Sequence, residues 1–211
     1  AIILEDDCLP HPTFFRFCTE LLNRFRDDKR VMAISAQNLQ SGSSRTEYSY
    51  YFSLYNHVWG WATWRRAWQH YDYTMTIWKT VRDGEWLRDV FGDREAADHW
   101  RGILEKVDSG RINTWAYRWS LACWSQSGMT ILPNVNLVSN IGFGPEATHT
   151  KTAYAQLANM PVEAMEFPLQ HPPFLIRDSR ADHYTFEKYY RPQLLARARS
   201  AVKAWVGSLQ R

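Results

Sequence analysis

The stretch AIILEDD, residues 1–7, decides the fold. Its four apolar residues, Ala1–Leu4, predict a strand that is buried on both faces, as at the centre of a parallel sheet. Three acids follow at once and therefore stand at the carboxyl end of that strand, the edge of an open α/β sheet where ligands bind. Because a central strand needs neighbours on both sides, we expect further strands before Ala1 and interpret the chain as a fragment.

The segments after the acids predict an α/β fold. Apolar residues at helical spacing predict a helix over Thr13–Arg26, and the apolar run Val31–Ile34 predicts a second buried strand. A strand, a helix and a strand in this order form a βαβ unit with a right-handed crossover. We therefore predict a mixed sheet flanked by helices. Further strands are predicted at Tyr48–Leu54, Met129–Leu132 and Asn136–Ile141, and further helices at Ala62–His70, Arg94–Val107 and Trp115–Gln126.

The length of 211 residues suggests one domain with a short appendage. We place the domain at residues 1–150 and interpret residues 151–211 as a tail. The Pro- and Ala-rich segment Thr150–Arg180 predicts a stretch that wraps around the domain or lacks regular structure. An apolar stripe over Gln193–Leu209 predicts a closing amphipathic helix.

Composition excludes several classes of protein. Hydrophobic residues make up 45% and charged residues 22%, which argues against a disordered chain. No run approaches the ~20 apolar residues of a membrane span. The net charge of +3 is too small to indicate a nucleic-acid partner. Three cysteines without CxxC spacing indicate neither a disulfide framework nor a zinc site, so we expect a reducing, cytoplasmic location.

Aromatic residues make up 15% of the chain. One interpretation is a core and interface built from large side chains. The other is a cleft for a sugar or a nucleobase, because flat rings stack on the faces of such ligands. Composition does not choose between them.

The acids at positions 5–7 are candidate metal ligands. Because side chains alternate along a strand, Glu5 and Asp7 are predicted to share one face while Asp6 points to the other. Mg²⁺ or Mn²⁺ suits such a carboxylate pair, with a diphosphate supplying further oxygens. The alternative is a solvated acidic turn before the following helix, where negative charge favours the helix dipole.

These motifs carry a resemblance to a known family. The run Ile2–Asp7 followed by Pro12–Phe15 resembles the DxD region of GT-A-fold glycosyltransferases, in particular the Glu-Asp-Asp motif of the N-acetylglucosaminyltransferase I type. Val31–Asn38 resembles the strand and loop that follow in those enzymes, and Trp59-Gly60-Trp61 resembles their acceptor-side loop. Two longer stretches, Tyr55–Trp68 and Asn134–Thr150, resemble bacterial nucleotide-diphospho-sugar transferases. The resemblance implies a GT-A-like, Rossmann-like fold whose nucleotide-binding strands precede Ala1.

The resemblance also implies roles for individual residues. Asp7 would coordinate the divalent ion that bridges the diphosphate of a nucleotide-sugar donor, and Glu5 and Asp6 would face ribose, sugar or water near that ion. His149 matches a second metal or phosphate ligand; the alternative is an ordinary loop histidine. The acceptor would be a carbohydrate or glycoconjugate.

The catalytic base departs from the family pattern. Inverting transfer needs a carboxylate that removes the acceptor's proton. In similar sequences an aspartate follows the tryptophan that opens a helix, but here Ala116 follows Trp115. Another acid such as Asp72 serves as the base, or transfer is retaining, or the protein is inactive. The alternative for Asp72 is a structural role, in which its carboxylate forms hydrogen bonds with nearby residues.

The loop Trp59-Gly60-Trp61 is the candidate for sugar recognition, because glycine lets the backbone approach a ligand while two rings flank it. A packed hinge around a tight turn is the alternative. Two other functions remain open: a non-catalytic carbohydrate-binding or scaffold protein, which Ala116 favours, and a metal-dependent phosphohydrolase. The second is less favoured because such enzymes usually carry several His and Asp ligands.

Overall fold

The structure is a computed structural model and describes residues 1–143 and 157–191. A five-stranded sheet, in the order β1-β5-β3-β6-β4, lies between helices, and β2 and β7 form a separate two-stranded ribbon. The large sheet is mixed, because β3 pairs with β6 in parallel while the other pairings are antiparallel. The strands are β1 (Ile2–Ile3), β2 (Cys8–Pro10), β3 (Val31–Ser35), β4 (Tyr50–Ser53), β5 (Trp61–Thr63), β6 (Met129–Pro133) and β7 (Val138–Asn140).

Helices cover both faces of this sheet, as predicted. The helices are α1 (Thr13–Arg24), α2 (Arg65–Trp68), α3 (Thr76–Val81), α4 (Trp86–Phe91), α5 (Arg94–Asp108), α6 (Trp115–Ser125) and α7 (Ser179–Thr185), followed by a π-helical turn, Phe186–Tyr190. The apolar stripe of α1 packs against Ile34 on one face. Trp119 and Cys123 of α6 pack against Met32 on the other. None of the helices in the described ranges has the length and apolar character needed to traverse a bilayer.

The structure does not confirm that Ala1–Leu4 is a central strand. Within the described residues, β1 lies at one edge of the sheet and pairs only with β5, in antiparallel orientation. Ile2 packs into the core under α1, whereas Ile3 packs on the opposite face beside α6. The apolar run thus reflects cover on both faces of the strand and carries no information about the number of its neighbours.

The βαβ unit is also interrupted. Strand β5 lies between β1 and β3 and is antiparallel to both, so the crossover through α1 joins parallel strands that are not adjacent. The sequence predicts a helix over Ala62–His70, but the structure has a strand up to Thr63 and a short helix from Arg65. The predicted start of the helix is wrong because β5 has only three residues. In so short a strand the hydrophobic pattern does not distinguish a strand from a helix, and tryptophan occurs in both.

The described part of the tail packs onto the domain. Met165 and Leu169 enter the core under α1, and Asp182 of α7 is 3% exposed and bonds to the end of β4. Helix α7 begins at Ser179, inside the segment predicted to lack regular structure. The predicted closing helix Gln193–Leu209 lies outside the described residues.

Candidate functional site

The acids follow β1 in a tight turn. The amide of Cys8 donates to the carbonyl oxygen of Glu5 at 3.1 Å, which closes a four-residue turn with Asp6 and Asp7 at its tip. Ligand atoms of Glu5, Asp7 and Cys8 all lie within 4.8 Å of one another. Asp6 is exposed and does not belong to this group. Glu5 and Asp7 therefore come together as predicted, although a turn rather than strand alternation causes it.

The ribbon of β2 and β7 holds Asp7 in place. Cys8 pairs with Asn140, and the amide of Ile141 donates to the Asp7 carbonyl oxygen at 2.9 Å. The carboxylate lies against Gly142, where a Cβ atom would be 2.1 Å from Asp7 Oδ2. The Asp7 side chain thus occupies a space that exists only because residue 142 has no side chain.

The donor set fits a hard divalent cation. Burial raises the pKa of the Cys8 thiol to about 12, so the thiol stays protonated at neutral pH, and its sulfur lies 3.6 Å from Asp7 Oδ1 as a weak donor. The remaining ligands of the cluster are the carboxylates of Glu5 and Asp7. Mg²⁺ is commonly held by one or two carboxylates together with substrate phosphates, which matches this pair. His149 lies outside the described residues, so its proximity to Asp7 stays a prediction.

An aromatic cavity of about 810 Å³ adjoins the acidic turn. Its walls include Ile3, Glu5, Trp61, Trp68, Tyr71 and Trp115. Trp61 stacks on Trp115 with ring centroids 5.4 Å apart, and Trp68 stacks on Tyr71 at 4.6 Å. Because Glu5 belongs to the carboxylate pair and also lines the cavity, the two features form one continuous site.

The structure separates the two rings of the Trp59-Gly60-Trp61 loop. Trp61 lines the cavity, whereas the Trp59 ring contacts Phe143, 5.4 Å away between centroids. Gly60 has a φ of +66°, and a Cβ there would lie 3.3 Å from Leu4, the residue before the acids. The loop therefore passes directly beneath the acidic turn with one tryptophan on each side, and the two rings do not face each other across one ligand-sized space.

Asp72 is occupied by local hydrogen bonds. Its Oδ1 accepts from the amide of Thr74 at 2.8 Å and from the Thr74 hydroxyl at 2.6 Å, and its Oδ2 accepts from the amide of Thr76, the first residue of α3, at 2.7 Å. These bonds lower the pKa of Asp72 well below its ordinary value, led by the Thr74 hydroxyl. A carboxylate with such a low pKa is a weak base. The structure thus favours the alternative of local bonding for this residue.

Ala116 lies in the first turn of α6, next to Trp115 of the cavity, and its amide donates to Thr114 Oγ1 at 3.2 Å. Sequence reasoning missed the contribution of Trp68, Tyr71 and Trp115 to one cavity, because their proximity depends on how α2 and α6 pack. It also missed Gly142, whose partner Asp7 is 135 positions away and is brought near by the register of β2 and β7.

Comparison of the chain with protein-family models gave no match, and comparison with curated proteins gave none either.

Proposed function

We propose that this protein is a divalent-metal-dependent glycosyltransferase of GT-A-like fold, which moves a sugar from a nucleotide-diphosphate sugar to a carbohydrate or glycoconjugate acceptor. The observation that carries the proposal is the placement of two carboxylates, Glu5 and Asp7, within 4.8 Å of each other beside an aromatic cavity that Glu5 also lines. Such a site offers oxygen ligands for a cation and flat apolar walls for a sugar ring in the same place.

Asp7 and Glu5 would hold Mn²⁺ or Mg²⁺, with His149 as the further ligand that the resemblance suggests. The bound ion supplies Lewis-acid stabilisation of the charge that develops on the leaving diphosphate. Trp68 and Trp115 orient a sugar by packing against its apolar face and exclude water from that side, and Trp61, which is buried, stacks behind Trp115 and supports it. These roles need the Asp7 carboxylate to stay close to Glu5, and its position against Gly142 restricts its orientation.

Neither residue considered as the catalytic base is suited to remove the proton of the acceptor. Ala116 cannot accept a proton, and Asp72 is bound at the start of α3. Retaining transfer needs no such base and is compatible with both residues. The same two observations favour a second candidate function, a carbohydrate-binding protein that has the site but does not transfer sugar.

Titration of the protein with Mn²⁺ and a panel of nucleotide-diphosphate sugars, followed by calorimetry and product detection, tests the proposal. We expect donor binding that requires Mn²⁺ and is lost in Asp7→Asn, whereas Asp83→Asn, at an exposed acid elsewhere, behaves like the wild type. Sugar binding without metal dependence and without product would favour the carbohydrate-binding protein. Absence of both Mn²⁺ and sugar binding would overturn both functions.

A further inference from the structure

We infer that Gly142 is a positioning residue of the metal site: its missing side chain sets the orientation of the Asp7 carboxylate. The inference rests on the proposed function, because it concerns the residue that supports the proposed metal ligand. Gly142 does not itself touch a substrate or a cation in this scheme. It acts only through Asp7.

Backbone conformation does not explain the glycine. The described glycines with a positive φ are Gly42, Gly60, Gly92 and Gly110, and Gly142 is not among them. Residue 142 therefore has a backbone that other amino acids adopt readily. What the position cannot accommodate is a side chain, since a Cβ would lie 2.1 Å from Asp7 Oδ2 and 2.9 Å from both Cβ and Cγ of Asp7.

Hydrogen bonds hold the backbones of both residues, so a small backbone shift relieves only the mildest part of the clash. The amide of Ile141 donates to the Asp7 carbonyl oxygen, and the amide of Gly142 donates to Asn140 Oδ1 at 2.8 Å. Asn140 is only 3% exposed and pairs with Cys8, the neighbour of Asp7. Rotation about the Cα–Cβ bond of Asp7 moves Cγ and both carboxylate oxygens to a different staggered position, and the 2.9 Å contact with Asp7 Cβ needs a small backbone shift in addition.

That rotation would separate the two carboxylates. In the present orientation an oxygen of Asp7 lies within 4.8 Å of an oxygen of Glu5, which lets one cation contact both. A carboxylate that turns away from residue 142 no longer has this relation to Glu5. Mutation of a residue that orients a metal ligand without touching the metal typically lowers metal affinity about 10- to 100-fold.

The test is Gly142→Ala, with Mn²⁺ affinity measured from the electron paramagnetic resonance signal of free Mn²⁺ and folding measured by thermal unfolding. The matched control is Gly102→Ala in α5, where no described atom lies within 4 Å of the added Cβ and φ is not positive. We expect Gly142→Ala to bind Mn²⁺ about 10- to 100-fold more weakly while it stays folded. Gly102→Ala should bind like the wild type.

The double variant Asp7→Gly/Gly142→Ala keeps the inference testable if Gly142→Ala fails to fold. Removal of the whole Asp7 side chain, including its Cβ, removes all three close contacts, so the double variant should fold and bind Mn²⁺ no more weakly than Asp7→Gly alone. A folded Gly142→Ala protein with wild-type affinity would overturn the inference and leave the proposed function intact. A double variant that does not fold would also overturn it. A wild-type protein without Mn²⁺ affinity would overturn the proposed metal site, and the inference with it.

Discussion

The two edges of the five-stranded sheet differ in what covers them. At the β4 edge the chain from Arg177 onward lies against the strand: the amide of Asp178 donates to the Phe52 carbonyl oxygen at 2.8 Å, and Asp182 bonds to Ser53. At the β1 edge a strand of two residues is followed by the acidic turn and flanked by the aromatic cavity. Polar groups at the first edge bond to one another, whereas at the second edge Glu5 lines a space large enough for a ligand.

Asp182 is the centre of the covered edge. Its carboxylate accepts from the Ser53 hydroxyl at 2.5 Å, from the amide of Leu54 at 3.2 Å and from Arg177 Nε at 2.6 Å. Burial raises its pKa, because the three donors only partly offset the loss of water. The covered edge therefore offers tests of stability, the β1 edge offers tests of the proposed binding, and the expected effects differ in size.

The largest expected effect is that of Asp182→Ala. The substitution leaves the partly exposed Arg177 guanidinium and the buried Ser53 hydroxyl and Leu54 amide without this acceptor, which costs about 3–5 kcal/mol, as for a buried pair. Urea unfolding followed by circular dichroism measures this loss. Asp83→Ala, at an exposed acid, should change the free energy of unfolding by less than about 0.5 kcal/mol. A loss below about 1 kcal/mol in Asp182→Ala would show that the β4 edge does not depend on this carboxylate.

The second prediction concerns His57, on the connection between β4 and β5. Burial lowers the pKa of its imidazole from 6.5 to about 4. Between these two values the unfolded chain binds a proton that the folded protein does not, so stability falls as the pH falls from about 6.5 to about 4, by about 3 kcal/mol in all. Asp182 acts in the opposite direction, because its raised pKa contributes stability that is lost as the pH rises.

Denaturant unfolding at several pH values checks the His57 prediction. His57→Gln should be less stable near neutral pH and should lose the part of the fall between pH 6.5 and 4 that His57 causes, while His99 and His171, whose pKa values burial also lowers, keep their part. His183→Gln, at an exposed histidine, should keep the wild-type profile. If His57→Gln has the same pH dependence as the wild type, the buried imidazole is not the cause.

Much of the covered part of the molecule could be predicted from the sequence. Helices α1 and α5 bury one apolar face each, α6 is buried on all sides from Arg118 to Trp124, and β3 and β6 are mostly apolar runs, so local patterns identify them. The position of β1 could not be predicted, because an edge strand with cover on both faces has the same pattern as a central one. The Glu5 and Asp7 pair is local and was predicted, whereas Gly142 and the cavity depend on pairing between distant segments.

The third prediction compares tryptophans in the two regions. Trp100 is 2% exposed in the helical core beside the covered edge, so Trp100→Ala should cost about 3–5 kcal/mol. Trp68 is 40% exposed at the cavity, so Trp68→Ala should cost only about 1–2 kcal/mol because less contact is lost. Thermal and urea unfolding measure both. Equal losses would mean that the cavity cluster is as much a part of the folding core as the helical one.

The smallest effect is expected at Asp72, next to Tyr71 of the cavity. Asp72→Ala removes the acceptor of the amides of Thr74 and Thr76 at the start of α3 and should cost about 1 kcal/mol. Asp72→Asn should keep most of this stability, because an amide oxygen still accepts hydrogen bonds. The lowered pKa gives the wild-type carboxylate a stabilising contribution above its unfolded pKa of 3.8, and this contribution is lost as the pH falls further.

The same pair of variants separates the structural role of Asp72 from a catalytic one. A base cannot be replaced by an amide, so Asp72→Asn would abolish inverting transfer if Asp72 removed the acceptor's proton. We expect instead that Asp72→Asn keeps wild-type Mn²⁺ and donor binding and any sugar transfer, while Asp72→Ala only lowers the unfolding temperature. Loss of transfer in a stable Asp72→Asn protein would restore Asp72 as the base. It would also show that the β1 edge places a second functional carboxylate beside the cavity, away from the turn that holds Glu5 and Asp7.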